Sequence, residues 1–106
     1  MWGDRSATLE IRFKISPSNR VEFLQTAGSL MEPSREPPGL SCMTCFEQLG
    51  VVNSFLWRES WESVTDLEGR LDTTTIKTLL GAIGVLGELE AVEILTPSNR
   101  PAARTS

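Results

Sequence analysis

The first regular pattern along the chain is a strict alternation between residues 7 and 15. Apolar and polar side chains take alternate positions: Leu9, Ile11, Phe13 and Ile15 against Thr8, Glu10, Arg12 and Lys14. A period of two residues places the two sets on opposite faces of a β-strand. The pattern therefore predicts a strand with one buried and one exposed face.

A helical period follows the strand. Ser16-Pro17 is a typical helix start, because serine caps free backbone N–H groups and proline fits the first helical position. Pro33 stops the pattern near Glu32, because proline cannot continue a helix. The inward stripe is predicted to contain Phe23, Ala27 and Leu30, extended by Val21, Leu24, Gly28 and Met31.

Two runs of residues suited to β-structure come next, at residues 40–48 and 54–61, and the Gly50-Val-Val-Asn53 connection between them predicts a hairpin. Strands with apolar side chains on both faces are commonly covered on both faces. Both runs have this character: Leu40, Cys42 and Phe46 oppose Met43 and Cys45, and Phe55, Trp57 and Trp61 oppose Leu56.

The remaining chain predicts two helical segments and a last strand. Ser63-Val-Thr-Asp66 resembles a capping box that opens a short helix, and residues 88–96 form the last β-suited run. The expected inward residues are Val64, Leu67 and Leu71 in the first helical segment, and Ile76, Leu79, Leu80 and Ile83 in the second.

The element order β-α-β-β-α-β predicts an α+β, ferredoxin-like sandwich with one antiparallel sheet and helices on one face. The other face of that sheet is left open, so we expect a homodimer in which two sheets meet across a two-fold axis. A chain of 106 residues with 40% hydrophobic residues suits one domain. We predict that domain at residues 7–96, a flexible N-terminus at 1–6 and a disordered polar tail at 97–106.

Composition removes several function classes. The net charge is −4 and no basic run is present, which argues against nucleic acid and anionic membrane surfaces. No apolar run approaches a membrane span and no signal-peptide layout begins the chain, so we expect a cytoplasmic protein. The chain has no histidine and no tyrosine, and therefore lacks the commonest general base and metal ligand.

The two cysteines form a C-x-x-C motif, Cys42 to Cys45, on a predicted strand. Side chains three positions apart on a strand point to opposite faces, with Cα atoms about 10 Å apart, whereas a disulfide needs less than about 7 Å. A zinc site needs further ligands that the sequence does not offer. The motif therefore predicts two free, buried thiols in a reducing cytoplasm, and no metal.

Several segments together resemble the antibiotic biosynthesis monooxygenase domain over residues 7–96. They are Ser16-Pro17, Glu36-Pro-Pro-Gly-Leu-Ser41, and Ser54-Phe-Leu-Trp-Arg-Glu-Ser-Trp-Glu-Ser63 followed by Leu67. The resemblance implies a dimeric α+β barrel and, in several members, cofactor-free oxygenation of aromatic polyketides or quinols. Other members degrade haem and need a histidine to ligate iron. This chain has no histidine, which argues against the haem-degrading branch.

The chain departs from the family pattern at two positions. Arg70 stands where members usually carry a histidine, and Trp57 stands where the polyketide branch has an asparagine, four residues before the tryptophan matching Trp61. Both departures fall where the chemistry is expected, so the family's catalytic residues do not transfer directly.

A cofactor-free oxygenase needs a dry apolar pocket, a base and a group that steadies an anion. On an ideal strand Glu59 shares a face with aromatic residues, and burial there can raise its pKa enough for it to act as a base. We predict catalytic roles for Trp61, Glu59 and Arg70, and substrate contacts for Trp57, Phe55 and Leu67. The alternative interpretation makes the aromatic residues core, pairs Glu59 with Arg12 or Arg58, and leaves Arg70 in solvent.

Three hypotheses follow from the sequence. The first is a monooxygenase, without cofactor or metal, acting on a small aromatic molecule such as a hydroquinone or an anthrone. The second is a non-catalytic dimeric ligand-binding or accessory domain, which the missing histidine favours. The third is a structural dimer with a filled pocket.

Overall fold

The computed structural model describes residues 6–32 and 38–97. The predicted terminal segments fall almost wholly outside this part of the chain, at residues 1–5 and 98–106. A single 3-10 turn, Pro17–Asn19, precedes the first α-helix. The elements are β1 Ala7–Ile15, α1 Arg20–Leu30, β2 Leu40–Glu47, β3 Ser54–Trp61, α2 Val64–Leu71, α3 Thr74–Leu86 and β4 Gly87–Leu95.

The four strands form one antiparallel sheet in the order β2-β3-β1-β4. The alternating strand β1 lies in the middle, and its apolar face, from Ala7 to Ile15, is buried. The predicted α+β, ferredoxin-like fold is confirmed. Within the described residues, no helix combines the length and apolar character needed to cross a membrane.

An aromatic group joins α1 to the centre of the sheet. The ring of Phe13 lies 5.1 Å from that of Phe23 and 5.7 Å from that of Phe55, and Phe23 lies 5.2 Å from Phe55. Pairs at these separations add about 0.5–1.5 kcal/mol to the burial of apolar surface. The other two helices contribute buried aliphatic residues to the same core: Leu67, Ile76, Leu79, Ile83 and Leu86.

The first helix is shorter than predicted. It begins at Arg20, because residues 17–19 form a 3-10 turn, and it ends at Leu30. The predicted stripe holds for Phe23, Ala27 and Leu30, which are buried, but is wrong for Val21, Leu24 and Gly28, which are exposed. Only one narrow side of the helix meets the sheet, so residues about 100° away from that side face solvent.

The outer face of β2 is uncovered. Its residues on this face include Cys42 and Phe46, both exposed, whereas Met43 and Cys45 on the helix side are half-buried. The helices cover one face of β2 only, and cover of the other face by a second copy of the chain stays a prediction. Both thiols are free, as predicted, and Cys42 is exposed in the single chain. Burial, with a smaller contribution from Glu47, raises the pKa of the Cys45 thiol to about 11.

Polar contacts fasten the β2–β3 hairpin to α1. Arg20 donates to both carboxylate oxygens of Glu47, at 2.6 and 2.8 Å, and to Oδ1 of Asn53 at 2.8 Å. The backbone N–H of Asn53 donates to the same Glu47 carboxylate at 2.7 Å. Asn53 has a φ of 68°, a left-handed conformation that asparagine tolerates better than most residues.

Candidate active site

The side chains of the candidate site come from β3 and α2. Alternation along β3 puts Trp57, Glu59 and Trp61 on the helix-facing side, where all three are buried. Ser63 starts α2 by accepting a hydrogen bond from the backbone N–H of Asp66 at 3.1 Å, as the capping box predicts. The last turn of α2 then brings Arg70 onto the same buried side of the sheet.

Four donors surround the Glu59 carboxylate. The indole N–H of Trp57 donates to Oε2 at 2.9 Å, and that of Trp61 donates to Oε1 at 3.1 Å. Arg70 binds in a two-pronged manner, with Nε 3.2 Å from Oε1 and Nη2 3.0 Å from Oε2. Each carboxylate oxygen therefore accepts two hydrogen bonds. We call Trp57, Glu59, Trp61 and Arg70 the Glu59 cluster.

The guanidinium of Arg70 is fixed by further contacts. Its Cζ lies 5.7 Å from the centroid of the Trp61 ring, a cation–π distance. Its Nη2 also lies 3.8 Å from the sulfur of Met43 on β2. The buried ion pair thus links α2 to β3, and the Met43 contact of Arg70 connects it to β2.

The cluster is closed to solvent. Relative exposures are 0% for Trp57 and Glu59, 2% for Trp61 and 4% for Arg70. Among the described residues, no buried side-chain nitrogen or oxygen lacks a hydrogen-bond partner. Buried polar groups are tolerated when every member is paired and the charges balance, and this cluster meets both conditions.

The cluster offers three chemical capabilities. Its carboxylate is an acceptor for a proton or a hydrogen bond, and its guanidinium can stabilise an oxyanion. The two indoles provide flat apolar surfaces against which an aromatic ring can stack. All four residues are at most 4% exposed, so a substrate can reach these groups only after the surrounding side chains move.

The structure brings together four of the six predicted site residues, those of the Glu59 cluster. Leu67 lies fully buried one helical turn before Arg70, on the same helix. Phe55 lies farther along β3 and packs with Phe13 and Phe23 instead. The functional roles assigned to the six residues from the sequence remain predictions.

The alternative pairings predicted for the charged residues are wrong. Arg58 pairs with Glu10 at 2.8 Å, and Arg12 lies 3.8 Å from the same carboxylate. Arg70, expected in solvent under that interpretation, is instead the partner of Glu59. One signal in the sequence could have revealed this pair: Arg70 follows the inward residue Leu67 by three positions, so both share a helix face.

Metal ligation finds no support in the described ranges. Residues 6–32 and 38–97 contain no group of three or more cysteine, aspartate or glutamate side chains placed to hold a metal ion. The acidic side chain at the centre of the candidate site is bound by Arg70 and the two indoles.

No family model matches the chain. Among curated proteins, it is 37% identical over 54 residues to a protein of Bacillus subtilis named "Putative monooxygenase YcnE", a match that covers 51% of this chain and 57% of that protein. It is 32% identical over 60 residues to the uncharacterized protein sll1783 of Synechocystis, covering 57% of this chain and 41% of that protein. The chain thus spans about half the length of the curated relatives it matches.

Solved structures share the whole fold. One is a mutant of SnoaB, a cofactor-independent oxygenase from Streptomyces nogalater, with a TM-score of 0.74 and 17% identity over 94% of this chain and 98% of that one. Another is an antibiotic biosynthesis monooxygenase, with a TM-score of 0.71 and 17% identity over 90% of this chain and 99% of that one. The chain therefore shares the fold of these oxygenase structures, and about half of its length is similar in sequence to the Bacillus subtilis protein.

Proposed function

We propose that this protein is a cofactor-free monooxygenase that oxidises a small electron-rich aromatic molecule, such as an anthrone or a hydroquinone. The observation that carries the proposal is the Glu59 cluster, which joins a carboxylate, a guanidinium and two indoles in the dry interior. The description of the structural relative SnoaB as a cofactor-independent oxygenase supports the same reaction class.

The reaction can be written for an anthrone with dioxygen as the only co-reactant. A base removes one proton from the ring CH₂ group, and the resulting carbanion passes an electron to dioxygen. The two radicals combine at that carbon, and protonation gives a hydroperoxide. Loss of water then leaves a carbonyl group, so that one oxygen atom enters the product and the other leaves as water.

Each residue of the cluster has a role in this proposal. Glu59 accepts the substrate proton, which requires hydrogen-bond distance in the bound complex. Arg70 turns from the carboxylate toward the oxygen of the substrate anion, where a charge-assisted hydrogen bond stabilises it. Trp57, Trp61 and Leu67 pack against the rings and exclude water.

Substrate entry requires the closed cluster to open. The helix α2 carries Arg70 and is only eight residues long, with Gly69 weakening its last turn. Its exposed residues include Thr65, Asp66 and Glu68, so half of its surface already faces solvent. We propose that displacement of α2 separates Arg70 from Glu59 and admits the aromatic ring between the indoles.

A second candidate function is a non-catalytic domain that binds a ligand or assists another protein. The observation that favours it is the complete pairing of the cluster, in which both Glu59 oxygens are already occupied. Such a domain would bind aromatic ligands without consuming oxygen.

The test is oxygen uptake with a panel of anthrones and hydroquinones. The informative variants are Glu59→Gln, Arg70→Lys and Trp61→Phe, and Glu62→Gln is a matched control because Glu62 is an exposed acid next to the site. We expect uptake above buffer that falls at least about tenfold in the three site variants, as expected for loss of a general base or a charge-assisted hydrogen bond. Uptake equal to buffer, or equal rates in all variants, would refute the proposal, and saturable binding without uptake would favour the second candidate.

We also propose that the protein forms a homodimer through the open face of the sheet. This face combines the apolar side chains Phe46 and Leu56 with charges of both signs, among them Glu10, Arg58 and Arg12. Surfaces with both signs can be self-complementary across a two-fold axis. A cytoplasmic location is proposed with it, because an exposed free thiol such as that of Cys42 suits a reducing compartment.

A further inference from the structure

The Glu59 cluster has two unequal neighbours along the sheet. On one side, the three residues of β1 paired with Trp61, Glu59 and Trp57 are fully buried: Ala7, Leu9 and Ile11. On the other side, the three residues of β2 paired with the same positions are only half-buried: Leu40, Met43 and Cys45. Because β2 is an edge strand, it is the thinner wall between the cluster and solvent.

Met43 is the residue of β2 that contacts the charged centre of the cluster. It lies directly opposite Glu59 in the register of the sheet, so the two side chains share the helix-facing side. Its sulfur lies 3.8 Å from Nη2 of Arg70. When Arg70 turns away from Glu59, Met43 therefore borders the space that the guanidinium leaves.

The seam between α2 and β2 is held differently at its two ends. Just before α2, the backbone N–H of Glu62 donates to the carbonyl of Gly39 at 2.8 Å. A Cβ atom at Gly39 would lie only 2.6 Å from Oδ2 of Asp66, so the chains pack closely there. In the last turn of α2, the contact between Arg70 and Met43 joins two side chains, which can separate by rotation about their own bonds. The seam therefore opens most easily beside Met43.

A methionine suits a position that borders a ring site. Its unbranched side chain adapts to neighbours of different shape, and its sulfur makes favourable contacts with aromatic rings. Leu9, on the opposite side of Glu59, is fully buried in the core and cannot give way in the same manner. The side chain at position 43 therefore determines how far a bound ring system can extend toward β2.

We propose that Met43 is a specificity-determining residue, whose side chain forms the outer wall of the substrate site and limits the size of the ring system that binds. The inference rests on the proposed function for the place of the ring beside Glu59. It adds the route of entry, through the seam between α2 and β2, and the residue that selects substrates by size. Met43 lies on the helix-facing side of the sheet, so the proposed dimer through the open face does not cover it.

The experiment compares a substrate with three fused rings, anthrone, and a substrate with one ring, hydroquinone. Oxygen uptake gives kcat/KM for each, and the ratio of the two values is followed in Met43→Ala, Met43→Phe and the volume-conserving variant Met43→Leu. Leu80→Ala is the matched control, because Leu80 is a half-buried core residue of similar size on α3, which continues into the opposite edge strand β4.

A binding measurement accompanies the kinetics and does not depend on turnover. Ligand-observed NMR gives the affinities of the full chain and its variants for 9-fluorenone, a ketone with three fused rings, and acetophenone, a ketone with one ring. Both ketones present an oxygen that can accept a hydrogen bond from Arg70. Urea unfolding checks that each variant folds, and Met43→Phe and Met43→Leu keep a large apolar side chain if Met43→Ala does not fold.

We expect Met43→Ala to shift both ratios about tenfold or more toward the three-ring compound, and Met43→Phe to shift them about as far toward the one-ring compound, as changes of pocket volume do. Met43→Leu should leave the ratios within about twofold, and so should the distant Leu80→Ala. Unchanged ratios in both Met43→Ala and Met43→Phe would overturn the inference, as would an equal shift in Leu80→Ala.

The two measurements separate this inference from the proposed function. Uptake no faster than in buffer, together with the expected shift in the binding ratio, would refute the monooxygenase reaction and support the role of Met43. Uptake that depends on Glu59 but shows no size preference at position 43 would refute only the role of Met43. No uptake and no binding of either ketone would refute both.

Discussion

Breaking the buried ion pair between Glu59 and Arg70 is expected to destabilise the fold strongly. In Glu59→Gln the carboxamide keeps one acceptor oxygen, but its NH₂ group meets donors from Arg70 and an indole. The Arg70 guanidinium, 4% exposed, then loses its opposite charge. Removing one partner of a buried ion pair typically costs about 3–5 kcal/mol. That is a large part of the roughly 5–15 kcal/mol that stabilises a domain.

A double-mutant cycle separates the interaction free energy of Glu59 and Arg70 from the contacts that each makes with other residues. Arg70 makes two hydrogen bonds to Glu59, at 3.2 and 3.0 Å, and hydrogen bonds to charged groups contribute about 1.5–3 kcal/mol each before the cost of removing the charges from water. We expect a coupling free energy of about 2–3 kcal/mol between Glu59→Gln and Arg70→Met, near the top of the usual range.

The assay is urea unfolding followed by the fluorescence of Trp57 and Trp61, both of which contact the pair. The matched control is the surface pair Lys14 and Glu90, whose side chains are 56% and 39% exposed. The double-mutant cycle of this pair, with Lys14→Met and Glu90→Gln, should give a coupling free energy of about 0–1 kcal/mol. Equal coupling free energies in the two cycles, or a loss of stability below about 1 kcal/mol for Glu59→Gln, would show that the buried pair contributes no more than a surface pair.

Three further predictions concern other parts of the molecule. Cys42 is exposed and Cys45 has its pKa raised to about 11, so an alkylating reagent at pH 8 should modify Cys42 first. Equal rates of modification would contradict this. The proposed dimer should also protect Cys42 from the reagent as the protein concentration rises. The pKa of Glu47 is lowered to about 2, mainly by the hydrogen bond from Arg20 and then by the Asn53 N–H. Its contribution to stability should therefore be complete above its ordinary value of 4.5 and be lost as the pH falls toward 2. Acid titrations of unfolding should show this loss in the wild type and a smaller one in Glu47→Gln; identical profiles would argue against it. Ser63→Ala removes the cap of α2 and should lower the free energy of unfolding in urea by about 1 kcal/mol. The control Ser60→Ala, on the outer face of β3, should lower it by less. The reverse order would contradict the role of Ser63 as the helix cap.

The fold was predictable because local patterns and tertiary structure agree along most of the chain. The alternation in β1 matches its burial, and the capping box at Ser63 starts α2 where the sequence indicates. The order of elements then leaves few ways to bury one face of a four-stranded sheet. Local pattern failed where burial depends on how much of a helix meets the sheet, as with Val21 and Leu24 on α1.

The arrangement of the candidate site on β3 was predictable from the sequence, but its hydrogen bonds were not. Alternation placed Trp57, Glu59 and Trp61 on one face of β3, and the structure agrees. The choice of partner for Glu59 depends on which face each arginine occupies, and the three-residue spacing from Leu67 is the one sequence signal that puts Arg70 on the inner face of α2. The sheet register places Arg12 and Arg58 beside Glu10 on the outer face, which leaves Arg70 for the interior.

The proposed function is cofactor-free oxygenation at the Glu59 cluster in the interior of this fold. The most direct measurement is the reaction of the purified protein with an anthrone under isotopically labelled dioxygen, with the product analysed by mass spectrometry. We expect one labelled oxygen atom in the product, formed faster than in buffer and much more slowly by Glu59→Gln. Product formation no faster than in buffer would contradict it, as would an unchanged rate in the variant.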